Sequence, residues 1–149
     1  MVITMKISIT GVSGFIGSNI ARVAAKYGHE ITALGRKTSK REHIEPFVSS
    51  FVVGSHDDQD AIKELVENAD VVIHDSFDWN SLINGTLADH LKSNLDGSIK
   101  LLSVCNGQHF IYMSSIAVHH HMHEKWNSVI DESHPTRPGS LYGACKSAV

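Results

Sequence analysis

From Lys6 to Thr10 the chain runs KISIT, a short apolar and β-branched stretch closed by Gly11, which is the pattern of a buried strand stopped at a turn. After Gly17, the segment SNIARVAAKYG places Ile20, Val23, Ala24 and Tyr27 at helical spacing, and Gly28 suits the left-handed cap that ends a helix. The alternation then repeats. Strands are predicted at Glu30–Leu34, Phe47–Val53, Asp70–His74 and His109–Ser115, and helices at Ala61–Ala69 and Leu91–Cys105, the latter with Leu91, Leu95, Ile99 and Leu102 on one face. Strands and helices alternating at this spacing predict an α/β fold, a doubly wound parallel sheet covered on both faces. Between His119 and Gly139 the pattern dissolves into polar, proline-bearing sequence, and a last helix is predicted to begin near Ser140. A sheet of this kind ordinarily continues after such a helix, so residues 1–149 are expected to be one domain, the amino-terminal part of a longer protein.

Composition narrows the function classes. The 149 residues carry a formal charge of -3, with 42% hydrophobic and 19% charged positions, and a pI of about 6.4. No basic excess exists to neutralise phosphates, so no nucleic-acid partner is expected. No apolar run approaches the roughly 20 residues that span a bilayer, and Met1–Ile9 lacks the features of a signal peptide, so no membrane partner is expected and the localisation reads as cytoplasmic. Cys105 and Cys145 stand far apart without CxxC spacing and read as reduced thiols.

The sharpest motif is TGVSGFIG, which sets Gly11, Gly14 and Gly17 at GxxGxxG spacing between a predicted strand and a predicted helix. Gly11 permits a tight turn, Gly14 removes a side chain where backbone must approach a pyrophosphate, and Gly17 lets helix and strand pack closely. The amides and positive end of the helix would then face the phosphates, as in a Rossmann-type dinucleotide site. An NAD site usually has an acidic residue at the end of the second strand, where this chain has Gly35. Arg36 and Lys37 follow at once, with Lys40 and Arg41 just beyond, and such cations attract a 2′-phosphate. NADP(H) is therefore the expected cofactor, with NAD as the alternative; the bland reading is a solvated basic loop.

The glycine turn, DVVIH, Asn94 in NLDGSIKLL, YMSSIAV and YGACK, in that order, resemble the extended short-chain dehydrogenase/reductase family of NAD(P)-dependent sugar epimerases, dehydratases and reductases. The resemblance covers essentially the whole chain but only the first half of such a protein; it implies that the carboxyl-terminal region, which grips substrate in the family, is absent from these 149 residues. It implies that Tyr142 is the acid/base, that Lys146 reaches the nicotinamide ribose, and that Ser115, with Ser114 as neighbour, holds the reacting oxygen. Residues at i and i+4 share a helix face, and an ammonium there favours a tyrosinate. Cofactor contacts are expected at Gly11, Gly14, Phe15, Ile16 and Gly17, at Arg36 and Lys37, at Ser76 and Asn94, and at Tyr142 and Lys146. The implied reaction moves a hydride between substrate carbon and nicotinamide on a small hydroxylated or carbonyl compound such as a nucleotide-linked sugar. A homodimer is implied too, with the Leu91–Cys105 helix and the helix near Ser140 pairing across its axis. The other readings are a non-enzymatic dinucleotide sensor and an inactive fragment.

Several positions depart from the family pattern. Gly54-Ser55 replaces the usual Gly-Asp that meets the adenine, leaving Ser55 and the His56 backbone to substitute. Asp75, Ser76 and Phe77 replace small apolar residues after the fourth strand, and an acid there is unfavourable near a phosphate unless it points away. His119 stands where the family has Tyr, and it opens the run HHHMH, in which His119, His120, His121 and His123 invite a metal reading. A loop run offers no preset ligand geometry, so no functional metal is expected. Trp79 and Trp126 fall in predicted loops, where they either line a pocket or cap the core edge.

Overall fold

The computed structural model describes residues 3–119 and 129–149. The chain divides into two compact units, Met1–Met113 and Ser114–Val149.

In the first unit, strands β1 (Lys6–Thr10), β2 (Glu30–Gly35), β3 (Ser50–Val53), β4 (Val71–His74) and β5 (His109–Tyr112) form a sheet in the order β3-β2-β1-β4-β5. Every pairing is parallel, with Ile9 opposite Ala33 on one side of β1 and Ile73 on the other. Side chains alternate across the sheet. Ile7 and Ile9 pack with Ala21 and Ala24 of helix α1 (Phe15–Lys26), whereas Val52 and Val72 pack with Ile62 and Leu65 of α2 (Gln59–Val66) and with Leu101 of α5 (Gly97–Val104). Both faces are covered, as the spacing predicts. The order reverses around β1, so the ends of β1 and β4 flank the crevice where open parallel sheets place ligands.

The element limits differ from those expected for identifiable reasons. Helix α1 starts at Phe15, ahead of Gly17, because Gly14 is extended (φ -80°, ψ 174°) and serves as its cap. Its buried face is Gly17, Ala21 and Ala24, while Val23 and Tyr27 are 43% and 65% exposed: the helix lies so close to the sheet that only small residues fit. Pro46 has no N–H for a ladder, and Glu45–Phe47 forms a 3-10 turn that delays β3 to Ser50. Asp58 accepts hydrogen bonds from the amides of Asp60 and Ala61, which starts α2 two residues early.

The stretch containing Trp79, expected as a loop, holds two short helices, α3 (Trp79–Asn84) and α4 (Leu87–His90). Asp78 caps the first, and Thr86 with Asp89 forms a capping box on the second. A π-helical turn, Leu91–Asp96, then leads into α5. Across these segments the buried positions are Ser81, His90, Asn94, Gly97, Ser98 and Leu101, while Ile99 and Leu102 of the expected apolar face are exposed. Polar residues take the interior here because their hydrogen bonds are met there.

In the second unit, Ile116–His119 forms a 3-10 turn and Leu141–Ser147 forms α6, capped by the Ser140 hydroxyl accepting from the Gly143 amide at 3.1 Å. The strand expected to reach Ser115 ends at Tyr112, so Ser114 and Ser115 lie beyond the sheet.

Candidate cofactor cradle and active site

The cradle is made by what its glycines lack. Gly11 has φ +73°, and a Cβ there would stand 2.7 Å from the Ser76 nitrogen and 2.8 Å from the Asp75 carbonyl carbon. A Cβ on Gly17 would run into the Gly11 carbonyl and come within 2.8 Å of the Val12 Cα. Gly14 donates its N–H to the Gly11 carbonyl at 2.9 Å, and a Cβ there would meet only that same carbonyl, at 3.2 Å. Helix α1 begins with no side-chain cap and no acidic residue in its first turn, and Phe15 and Ile16 are exposed. Its first amides therefore suit an anion, and the cradle fits a pyrophosphate.

Behind the cradle runs a buried polar chain that sequence reasoning missed. The Ser98 hydroxyl donates to the Asn94 carbonyl at 2.6 Å, so toward His74 Nε2, 2.8 Å away, it can only accept, and Nε2 carries the proton. His74 Nδ1 is then an acceptor. The Thr10 hydroxyl donates to it at 2.7 Å and accepts the Ser76 amide at 3.2 Å. The signal was present in the strands: Ser8 and Thr10 alternate with isoleucines, and Thr10 pairs with His74 in register.

Of the other expected cofactor positions, some side chains face the protein. Asn94, 2% exposed, accepts the Asp78 amide at 2.6 Å and donates to the Asp78 carbonyl, with Ser81 Oγ and His90 Nδ1 also in reach. It holds the start of α3. The His56 ring is buried and donates Nε2–H to the Ser93 carbonyl, while the Ser55 hydroxyl donates to Asp57. Arg36 and Lys37 lie exposed after β2. Arg41 is committed elsewhere, donating to the Arg36 carbonyl at 3.2 Å and lying over the Phe51 ring. Asp75 and Ser76 are half-buried, their backbone against Gly11. Trp79 packs against Phe77 with the rings tilted by 56° and their centroids 4.8 Å apart, and is half exposed.

The second unit gathers Ser115, Tyr142 and Lys146. Ser115 is half-buried; its carbonyl accepts the Val118 amide and its Oγ the Ala117 amide, which leaves its own O–H to donate. Tyr142 is half-buried and Lys146, one turn on along α6, is 5% exposed. Helix α6 packs on the turn that follows Ser115. Gly143 makes this possible, because a Cβ there would collide with the Ala117 carbonyl and reach within 3.1 Å of Pro138 Cβ. Burial pushes the neighbouring Cys145 thiol up from its ordinary range. His120, His121, His123 and Trp126 lie outside the described residues. Among the described residues no group of three or more His, Cys, Asp or Glu side chains is placed to hold a metal.

A parallel α/β sheet with an uncapped glycine turn at its switch point is the architecture of a dinucleotide-binding protein. Residues 7–149 match the profile of the NAD dependent epimerase/dehydratase family, and the chain belongs to that family. It is 29% identical to a UDP-glucose 4-epimerase of Streptomyces lividans over 97% of its own length and 45% of that protein. A dTDP-glucose 4,6-dehydratase of Streptomyces niveus is 27% identical over 97% of this chain and 47% of that one. Among solved structures, the UDP-glucose 4-epimerase of Thermus thermophilus in complex with NAD superposes with a TM-score of 0.81 at 27% identity, covering 97% of this chain and 48% of that one. The chain spans between a quarter and about half of the length of most of the curated relatives it matches, and 92% of a UDP-glucose 4-epimerase sequence of Klebsiella pneumoniae. No helix among the described residues is long and apolar enough to cross a membrane.

Proposed function

We propose that the protein is an NADP(H)-dependent epimerase, dehydratase or reductase of this family, acting on a hydroxyl or carbonyl carbon of a nucleotide-linked sugar. The observation that carries the reading is the second unit: Lys146 is buried one helical turn from Tyr142, on a helix whose Gly143 lies against the turn following Ser115. A bound nicotinamide supplies the hydride acceptor or donor. The chain's own residues supply the rest. The first amides of α1 and the bare glycines take the pyrophosphate. The Lys146 ammonium favours the tyrosinate form, so that Tyr142 can take a proton from a substrate hydroxyl or return one to a carbonyl. The Ser115 hydroxyl donates to the same oxygen and fixes it. Sugar-nucleotide relatives support the substrate class.

The preference for the phosphorylated cofactor rests on Gly35 standing where an acid would repel a 2′-phosphate, with Arg36 and Lys37 exposed beside it. Exposed Ile99 and Leu102 on α5 support a homodimer through that helix. Fluorescence titration with NADPH and NADH tests the cofactor: tighter NADPH binding, weakened about tenfold in Arg36→Ala with NADH unaffected, is the expected result. Equal affinities in both proteins would remove the phosphate clamp. A screen of UDP- and dTDP-sugars, with Tyr142→Phe as control, tests the chemistry. Activity surviving in that variant would overturn the assignment.

A further inference from the structure

Where the family pattern has Tyr, this chain has His119, at the end of the turn that follows Ser115. Its Nδ1 lies 3.1 Å from Nδ1 of His134 and 3.2 Å from the Pro135 carbonyl, and His134 Nδ1 is 3.0 Å from the same carbonyl. The two rings meet edge to face, with centroids 4.9 Å apart. We propose that His119 is a positioning residue for Ser115, tying the serine turn to the segment that leads into the Tyr142–Lys146 helix. This role rests on the function proposed above.

A carbonyl only accepts, so at least one imidazole must place a proton inside this triangle. The shorter carbonyl distance puts it on His134, whose N–H is shared between Pro135 and the bare Nδ1 of His119. A bond from His134 to Pro135 joins neighbours in sequence and ties nothing together. The bond that His119 accepts from His134 joins residues 15 positions apart, and it is reinforced by the Arg137 amide donating to the Val118 carbonyl at 2.9 Å. Val118 in turn donates to the Ser115 carbonyl at 3.1 Å. One short ladder therefore runs from the serine to Arg137, and Pro138 beyond it lies beside Gly143 of α6. If His134 is removed, His119 can turn its own Nδ1–H to Pro135 and keep the tie. If His119 is removed, nothing replaces it.

The test uses the full-length chain with His119→Phe, His119→Asn and His134→Phe. Asn sets an amide near the place of Nδ1 and restores the contact. Amide hydrogen exchange, which needs no substrate, is expected to quicken at Val118 and Arg137 by at least about tenfold in His119→Phe, less in His134→Phe, and hardly at all in His119→Asn. With the sugar nucleotide turned over in the screen, His119→Phe is expected to lower kcat about 10- to 100-fold at unchanged KM and cofactor affinity, with recovery in His119→Asn. Unchanged exchange in His119→Phe overturns the tie whatever the chemistry. Quickened exchange with unchanged kcat overturns the positioning role. Uptake of one equivalent of cobalt(II) by the wild type, lost in His134→Phe although the 120–123 run is intact, would make the pair a metal site and overturn the hydrogen-bond reading. Failure of Tyr142→Phe to abolish turnover would sink the proposed function and leave the exchange result standing.

Discussion

Around the proposed cradle, the groups that would meet a cofactor are backbone: the first amides of α1, and three glycines where a Cβ would stand within 3.2 Å of main chain. In the unit from Ser114 onward, the atoms proposed to work are a hydroxyl, a phenol and an ammonium, held by a 3-10 turn, a seven-residue helix and local hydrogen bonds. The two regions fail differently. A backbone site tolerates exchange of exposed side chains such as Phe15 and Ile16 but not one added carbon at Gly17. A side-chain site is lost with a single oxygen, while its fold survives.

Tyr142→Phe makes the sharpest test. Turnover is expected to fall by about 10² to 10⁴, the usual contribution of a positioned acid/base, with NADPH affinity within about twofold. Parallel losses of binding and turnover would show that the two regions cannot be separated this way. Gly17→Val should do the reverse. Its side chain would meet the Gly11 carbonyl and Val12 Cα, at a cost of about 2–4 kcal/mol in a urea melt and with loss of cofactor binding. A cofactor-binding, fully stable Gly17→Val protein would refute the close-packing account.

Thr10→Val keeps the shape of the β1 end and removes the hydroxyl between the Ser76 amide and His74 Nδ1, taking this acceptor from the amide and leaving Nδ1 with the Ser76 hydroxyl 3.4 Å away. About 1–3 kcal/mol of stability should go, while NMR of the imidazole should still show the Nε2–H tautomer of His74, which Ser98 fixes. Loss of that tautomer would mean that Ser98 does not set it alone. The smallest effect concerns the Thr86 cap. The Thr86 hydroxyl, and its amide after it, hold the Asp89 carboxyl below the ordinary carboxylate range. A depressed carboxylate adds stability above its unfolded value, and that stability is lost as pH falls through the folded value. Thr86→Ala should therefore flatten the acid limb of the stability curve slightly, as read by thermal melts between neutral and strongly acidic pH. A steeper acid limb would contradict the cap.

Much of the first region was legible in order of residues, because a parallel sheet buried on both faces requires apolar strands and a phosphate turn requires glycines at set spacing. The errors have one physical source. Val23, Tyr27, Ile99 and Leu102 look like core by hydrophobicity yet are exposed, and Asn94, Ser98 and His74 look like surface yet are buried. Burial follows close approach and satisfied hydrogen bonds, and neither is visible in periodicity. The helices at Trp79–Asn84 and Leu87–His90 were missed although Asp78 and the Thr86–Asp89 box announce them, since each is too short to show a period.

Local sequence by itself determined the succession of strands and helices along the chain, the glycine turn, and the helical spacing of Tyr142 and Lys146, because each depends on neighbours within a few residues. Tertiary structure alone decided that Thr10 meets His74, that His119 meets His134 across fifteen positions, and that Gly143 lies against the turn following Ser115. Those contacts join segments distant in the chain, and only the folded backbone sets which polar groups are brought within bonding distance.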